Sequence, residues 1–234
     1  MGLLTSEGLT QTDDVSAADV VVVNTCAFIE EARRESINTI LTLSDQRKKG
    51  ARLVVTGCMA ERYGQELAKA LPEADGILGF DDYQDISARL QSIVSGNAHT
   101  PHVPRDRRSL LPIAPADRPA ARQEAIDESY ASTLGAGGSL FRKRLGDAPW
   151  APLKIASGCD RRCSFCAIPY FRGSFISRPP EEILEEATWL ADHGVNELFL
   201  VSENTTSYGK DFGDLKLMEK LLPELSKIEA VKRI

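Results

Sequence analysis

Two stretches of this chain share one pattern: a valine-rich run of strand length, a short polar break, then apolar residues at helical spacing. They are ADVVVVNTCAFIEEARRESINTI and ARLVVTGCMAERYGQELAKAL. Apolar runs of this kind predict parallel strands buried on both faces, each followed by an amphipathic helix. In the first helix Phe28, Ala32, Ile37, Ile40 and Leu41 fall on one face, and the pattern runs to about Gly50. The same rhythm returns near the other end. LKIAS predicts a short strand leading into a loop. SRPPEEILEEATWLADHG predicts a helix with Pro179 and Pro180 at its start and acidic residues in its first turn. Its apolar face carries Ile183, Leu184, Ala187, Leu190 and Ala191, and Gly194 sits where a left-handed cap belongs. VNELFLV predicts another buried strand. After the SENTTSYGKDFGD loop, Leu215, Met218, Leu221, Leu222, Leu225 and Ile228 predict another amphipathic helix. Alternation of this kind implies an α/β fold with parallel strands and right-handed crossovers. Chemistry in such folds gathers at the C-terminal strand ends, so the loop after LKIAS and the SENTTSYGKD loop are expected to face each other.

The middle of the chain has another texture. Residues 95–152 hold seven prolines, His99, His102, many arginines and the run LGAGGS, with little periodicity. They predict an extended linker between domains, with both histidines solvated. The expected layout is an N-terminal domain over 1–95, a linker over 96–151 and a second domain over 152–234.

Composition narrows the partners. The chain has 234 residues, 42% hydrophobic and 26% charged, with a net charge of −6. It lacks the broad basic field that dominates nucleic-acid binding, which favours a protein substrate and leaves RNA contact indirect. No stretch is long and apolar enough for a bilayer, and the N-terminus does not read as a signal peptide. MGLLTS fits a myristoylation pattern only loosely and is read as chance. The expected home is the cytoplasm.

Five cysteines carry the candidate chemistry. Cys159, Cys163 and Cys166 form a C-x-x-x-C-x-x-C run. Three thiolates this close can hold three corners of a cubic iron–sulfur cluster, leaving one iron open for substrate. Structural zinc would need a fourth ligand, and the nearest histidine, His193, falls at the end of a predicted helix. A ferredoxin would show a fourth cysteine and x2-x2 spacing. An odd cysteine count without a secretion signal speaks against disulfides. Cys26 and Cys58 occupy equivalent strand-to-helix junctions, where they form a shared metal site or stay as two inert thiols. Arg161, Arg162, Arg172 and Arg178 surround the cysteine run and read mostly as solvated surface arginines.

CDRRCSFC resembles the cluster loop of radical S-adenosylmethionine (SAM) enzymes. The resemblance implies a 4Fe–4S cluster on Cys159, Cys163 and Cys166 whose free iron chelates SAM. It places Phe165 near the adenine, and Ser202, Glu203 and Asn204 at the methionine end of the cofactor or as caps of the strand end. The usual glycine-glycine-glutamate is absent there. VNTCAFIEEARRESINTI and VVTGCMAERYG resemble the N-terminal domain of the methylthiotransferases. These carry a second, auxiliary 4Fe–4S cluster, here left to Cys26 and Cys58, with the third ligand expected ahead of Met1. PYFRGSFISRPPEEIL and VSENTTSYGKD resemble the branch acting on ribosomal protein uS12.

That branch implies addition of a methylthio group to the β-carbon of a uS12 aspartate. SAM is cleaved reductively, the auxiliary cluster carries sulfur, and an electron donor such as flavodoxin or ferredoxin is needed. No catalytic side chain beyond the cluster ligands is expected. A tRNA (adenine) methylthiotransferase, a non-catalytic zinc module and a simple electron carrier remain alternatives. The implied fold is an open parallel α/β sheet followed by the first two units of a partial (β/α) barrel. The remaining strands and a C-terminal TRAM domain are expected outside this chain, which by itself is expected to be inactive.

Overall fold

The computed structural model describes residues 2–83, 85–112, 118, 122 and 143–234. The LGAGGS run of the expected linker lies outside them. The chain divides into two compact units, one formed by residues 7–106 and the other by 1–6 with 107–234.

A short helix α1 (Gly2–Ser6) opens the chain. The 7–106 unit then runs β1 (Val20–Thr25), α2 (Glu30–Gln46), β2 (Arg52–Gly57), α3 (Cys58–Ala70), β3 (Gly76–Ile77) and α4 (Ile86–Val94). Its three strands form a parallel sheet in the order β1-β2-β3, with Thr25 paired to Gly57 and Val55 to Ile77. Val23, Leu53, Val55, Met59, Ala60 and Ile77 make the core that the valine runs predict. Asp75 pins the β2–β3 edge by accepting from Leu53 N at 2.8 Å, Arg52 Nη1 at 2.8 Å and Arg47 Nη1 at 2.7 Å. Partial burial alone would raise its carboxyl pKa, but these three donors hold it below the usual value. Helix α2 departs from expectation. It begins at Glu30 and ends at Gln46, so Phe28 precedes it, and only Ile40 is buried while Ile37 and Leu41 stay exposed.

The other unit contains β4 (Trp150–Lys154), β5 (Ala156–Ser157), α5 (Ile168–Arg172), β6 (Ile176–Ser177), α6 (Pro180–Asp192), β7 (Glu197–Val201) and α7 (Leu217–Ser226). β4 and β7 pair in parallel from Trp150↔Glu197 to Lys154↔Val201. Leu153, Ile155, Ile183, Ala187, Leu190, Leu198, Leu221 and Leu225 form the core under α6 and α7. Pro179 and Pro180 open α6, and Gly194 closes it in the left-handed region at φ +85°, as the sequence predicts. β7 is not buried on both faces. Phe199 and Val201 are exposed, and Phe199 meets exposed Trp150 edge-to-face at 5.7 Å. Leu215 lies outside α7 and is exposed. The antiparallel pair β5–β6, which no periodicity announces, links Ala156 to Ser177. Arg233 forms a parallel bridge to Glu197 on β7. The architecture is α/β with parallel sheets, and among the described residues no barrel closes. No helix among them is long and apolar enough to cross a membrane.

Candidate metal centre and its cofactor edge

β5 delivers the chain into the cysteine loop through Gly158, in the left-handed region at φ +79°. A Cβ there would stand 2.0 Å from the Ser174 carbonyl oxygen, so only glycine lets the loop's two ends come this close. Cys159 N donates to Gly173 O at 3.1 Å and Phe175 N donates to Asp160 Oδ1 at 2.7 Å, closing the loop on its own exit. Arg118 pairs with Asp160 at 2.7 Å. Cys166 N donates to Cys163 O at 3.1 Å, a tight turn around the last two cysteines.

Cys159 is buried, Cys166 half-buried and Cys163 exposed. Burial pushes the Cys159 thiol pKa up, and the neighbouring Cys166, Asp160 and Cys163 charges push it the same way. Among the described residues, no three His, Cys, Asp or Glu side chains are drawn together as metal ligands. The donor set itself fits a thiophilic group: three thiols on an eight-residue loop, with no histidine among them.

Beside this loop lies a charged edge formed by the ends of β4 and β7. Burial is the main cause that lowers the Lys154 pKa to about 8, with Arg172 and Arg178 adding to it and Glu203 opposing it. Arg172 Nε pairs with Glu203 Oε1 at 3.2 Å, while Glu203 Oε2 is buried without a hydrogen bond. Ser202 and Asn204 are engaged locally. Ser202 Oγ accepts from Asn204 N at 3.1 Å, and Asn204 Nδ2 donates to Ser207 Oγ at 2.7 Å. Phe165 is 86% exposed.

Arg161 and Arg162 are exposed as expected, whereas Arg172 is half-buried and Arg178 buried. Arg178 is buried against Glu186, its Nη1 also donating to Lys154 O at 2.7 Å. Tyr208, whose hydroxyl burial holds in its protonated form, donates to Arg178 O at 3.0 Å. One buried carboxylate escaped sequence reasoning altogether. Asp211, buried in the loop after β7, accepts from Ser177 N at 2.8 Å, Ser177 Oγ at 2.5 Å and Arg122. The partners stand 34 positions apart, so no local pattern could announce the contact.

In the other unit, Cys26 directly follows β1, and Cys58 is the first residue of α3 rather than a loop residue. Because β1 and β2 are sheet neighbours with Thr25 paired to Gly57, both thiols stand at the same strand edge, each half-buried. A Cβ on Gly57 (φ +92°) would lie 2.4 Å from Asn24 Oδ1, which shows how closely the two junctions approach. Ser36 Oγ accepts from Cys26 N at 3.1 Å. No third ligand joins the two thiols among the described residues, so the donor set for an auxiliary cluster is incomplete here.

Residues 153–233 match the radical SAM superfamily, and residues 1–79 match a family described as uncharacterized protein family UPF0004. Proteins named ribosomal protein uS12 methylthiotransferase RimO are similar along the whole chain. Identity is 55% to that of Kineococcus radiotolerans, covering 100% of this chain and 49% of the relative. It is 56% to that of Cutibacterium acnes, covering 97% and 49%, and 53% to that of Streptomyces griseus, covering 100% and 50%. The chain is thus similar to proteins of that name along its length and to the radical SAM superfamily over residues 153–233. It spans about half the length of the curated relatives it matches.

Proposed function

We propose that this chain carries the cluster-binding and part of the SAM-binding machinery of a radical SAM methylthiotransferase acting on an aspartate β-carbon of ribosomal protein uS12. The observation that carries the reading is the Cys159–Cys163–Cys166 loop, closed on itself through Gly158 and set beside the charged ends of β4 and β7. Full-chain similarity to the uS12 enzymes supports this substrate over tRNA.

In this reading the three cysteines hold three irons of a 4Fe–4S cluster. Cys159 is anchored by its backbone, and Cys163 and Cys166 are presented by one turn. Bound there, the cluster and SAM supply one-electron reductive cleavage chemistry, fed by a donor such as flavodoxin or ferredoxin. Glu203 is the residue of the 202–204 trio suited to the methionine end of SAM. Its Oε2 is buried and unpaired, so an ammonium would relieve an unsatisfied acceptor, and Arg172 fixes the carboxylate through Oε1. Ser202 and Asn204 shape the turn that presents it. Exposed Phe165 offers a ring for the adenine. Cys26 and Cys58 would contribute two thiolates to the auxiliary cluster, and no step is derived through that incomplete set.

Anaerobic reconstitution with iron and sulfide tests this reading. The loaded chain is expected to absorb near the visible region of iron–sulfur charge transfer and to change its spectrum when SAM is added. A colourless, zinc-loaded protein, or a spectrum indifferent to SAM, would overturn it. Mass spectrometry of uS12 and of tRNA, each incubated with a full-length relative, reports the substrate.

A further inference from the structure

We infer that Asp211 is a positioning residue for SAM, fixing the loop after β7 against the strand that leaves the cysteine loop; the inference rests on the function proposed above. Asp211 is 1% exposed, and a carboxylate so buried is tolerated only when its oxygens are met by donors. Ser177 supplies two of them, from its backbone N–H and its hydroxyl, and Arg122 supplies another. The Ser177 hydroxyl oxygen accepts in turn from Gly209 N at 2.9 Å. Ser177 and the 209–211 turn are thereby joined by a closed ring of hydrogen bonds.

The position of this ring gives it a role. Ser177 ends β6, which pairs with β5, and β5 runs into Gly158 and Cys159. The far side of the ring belongs to the loop that begins with Ser202, Glu203 and Asn204. That loop is held at its near end by Arg172 against Glu203 and at its far end by Ser177 against Asp211. The turn between the anchors is tight. Gly209 is left-handed at φ +86°, and a Cβ on it would lie 2.3 Å from Leu217 Cβ. The contacts of Asp211 set the distance between two loops, which is the quantity a cofactor bridging cysteines and Glu203 depends on.

Asp211→Asn tests this: with its amide oxygen toward the Ser177 N–H and Arg122, its NH2 faces the Ser177 hydroxyl, which must give up the bond it donates, and the charge opposite Arg122 is lost. Ser177→Ala is the milder variant, removing only the hydroxyl bonds. In the full chain, reconstituted without air, we expect both variants to bind as much iron as wild type. SAM affinity per iron-loaded chain, read from the spectral response and from equilibrium dialysis, should fall about tenfold or more in Asp211→Asn, the worth of a charge-assisted hydrogen bond, and less in Ser177→Ala. Unchanged SAM affinity in both iron-loaded variants would overturn the inference alone. So would parallel loss of iron and SAM in Ser177→Ala, the mark of a purely architectural clamp. A wild-type chain that loads iron but ignores SAM would sink the proposed function, and this inference with it.

Discussion

The ring nitrogen Nε2 of His102 lies 3.3 Å from Oε2 of Glu61, an ion-pair contact off the straight hydrogen-bond line, inside the 7–106 unit. The imidazole is almost wholly buried, and the segment carrying it is stitched to β3 by His102 N donating to Ile77 O at 3.1 Å. His99 touches the same carbonyl at 3.1 Å. The surroundings are cut to fit: a Cβ on Gly64 would lie 2.0 Å from His102 O, and one on Gly79 2.3 Å from its ring.

A pH dependence follows. Burial works to lower the His102 pKa, but the Glu61 carboxylate, aided by Asp82 and Asp81, overrules it and leaves the pKa raised above 6.5. A group whose folded-state pKa exceeds its unfolded value stabilises the fold fully below the unfolded value and loses that contribution as pH rises through the folded one. Urea midpoints of the wild-type chain should therefore fall as pH climbs from 6.5 into the window just above it. His102→Gln should flatten that slope and cost about 3 kcal/mol at acidic pH, because buried Glu61 keeps the Phe80 N–H but loses the imidazolium charge. An unchanged slope in the variant would show that the pair does not titrate.

The contrast with the sequence reading is instructive at this residue. His102 sits among prolines and arginines with no periodicity, so its neighbourhood reads as solvated linker. Its burial is decided by Glu61, Gly64 and Gly79, far away in the chain. Where a strand or helix carries its own signal, the reading holds: the valine runs give β1 and β2, Pro179 and Gly194 bracket α6, and the cysteine triplet marks its loop. What is set by distant partners was not legible. Arg178 looks like a surface arginine until Glu186 buries it, and Ser177 and Asp211 are short polar residues like many others until the fold brings them together. The exposed faces of Phe199 and Val201 escaped for another reason: an apolar run cannot say whether both sides of its strand are covered.

Two glycines with nearly the same backbone separate steric from conformational cost. Gly158 has φ +79° and no room for a Cβ, whereas Gly194 has φ +85° and nothing within 4 Å. Gly194→Ala should cost about 1 kcal/mol, the conformational penalty alone. Gly158→Ala should cost several times more and should lower iron content, because the Ser174 carbonyl must move and the cysteine loop opens with it. Thermal melts and iron analysis of the two variants check this; equal losses would mean that the loop relaxes without strain.

Glu203→Ala isolates the cofactor edge from the metal. Iron binding should persist, since Oε1 of this carboxylate is held by Arg172 and Oε2 makes no hydrogen bond among the described residues. SAM affinity should fall about tenfold, one charge-assisted hydrogen bond. Equilibrium dialysis of the iron-loaded chain reads the effect, and an unaltered affinity would assign the residue to strand capping.

Arg178 and Glu186 provide the sharpest stability test. Both are almost fully buried, and Arg178 also supports β4 through Lys154 O and receives Tyr208 on its own carbonyl. A buried pair gains Coulomb energy but has lost hydration at both charges, so its net worth is small while either half alone is costly. Arg178→Met leaves Glu186 without this cation, and Glu186→Leu leaves Arg178 with only the half-exposed Glu182 carboxylate at 3.8 Å. Each single variant should lose about 3–5 kcal/mol of unfolding free energy. The double variant, apolar on both sides, should lose less than the sum, and less than either single change if Lys154 O finds another donor. Denaturant titrations of the four proteins form the cycle. Strict additivity would mean that the two charges do not depend on one another, and that Arg178 acts through Lys154 O alone.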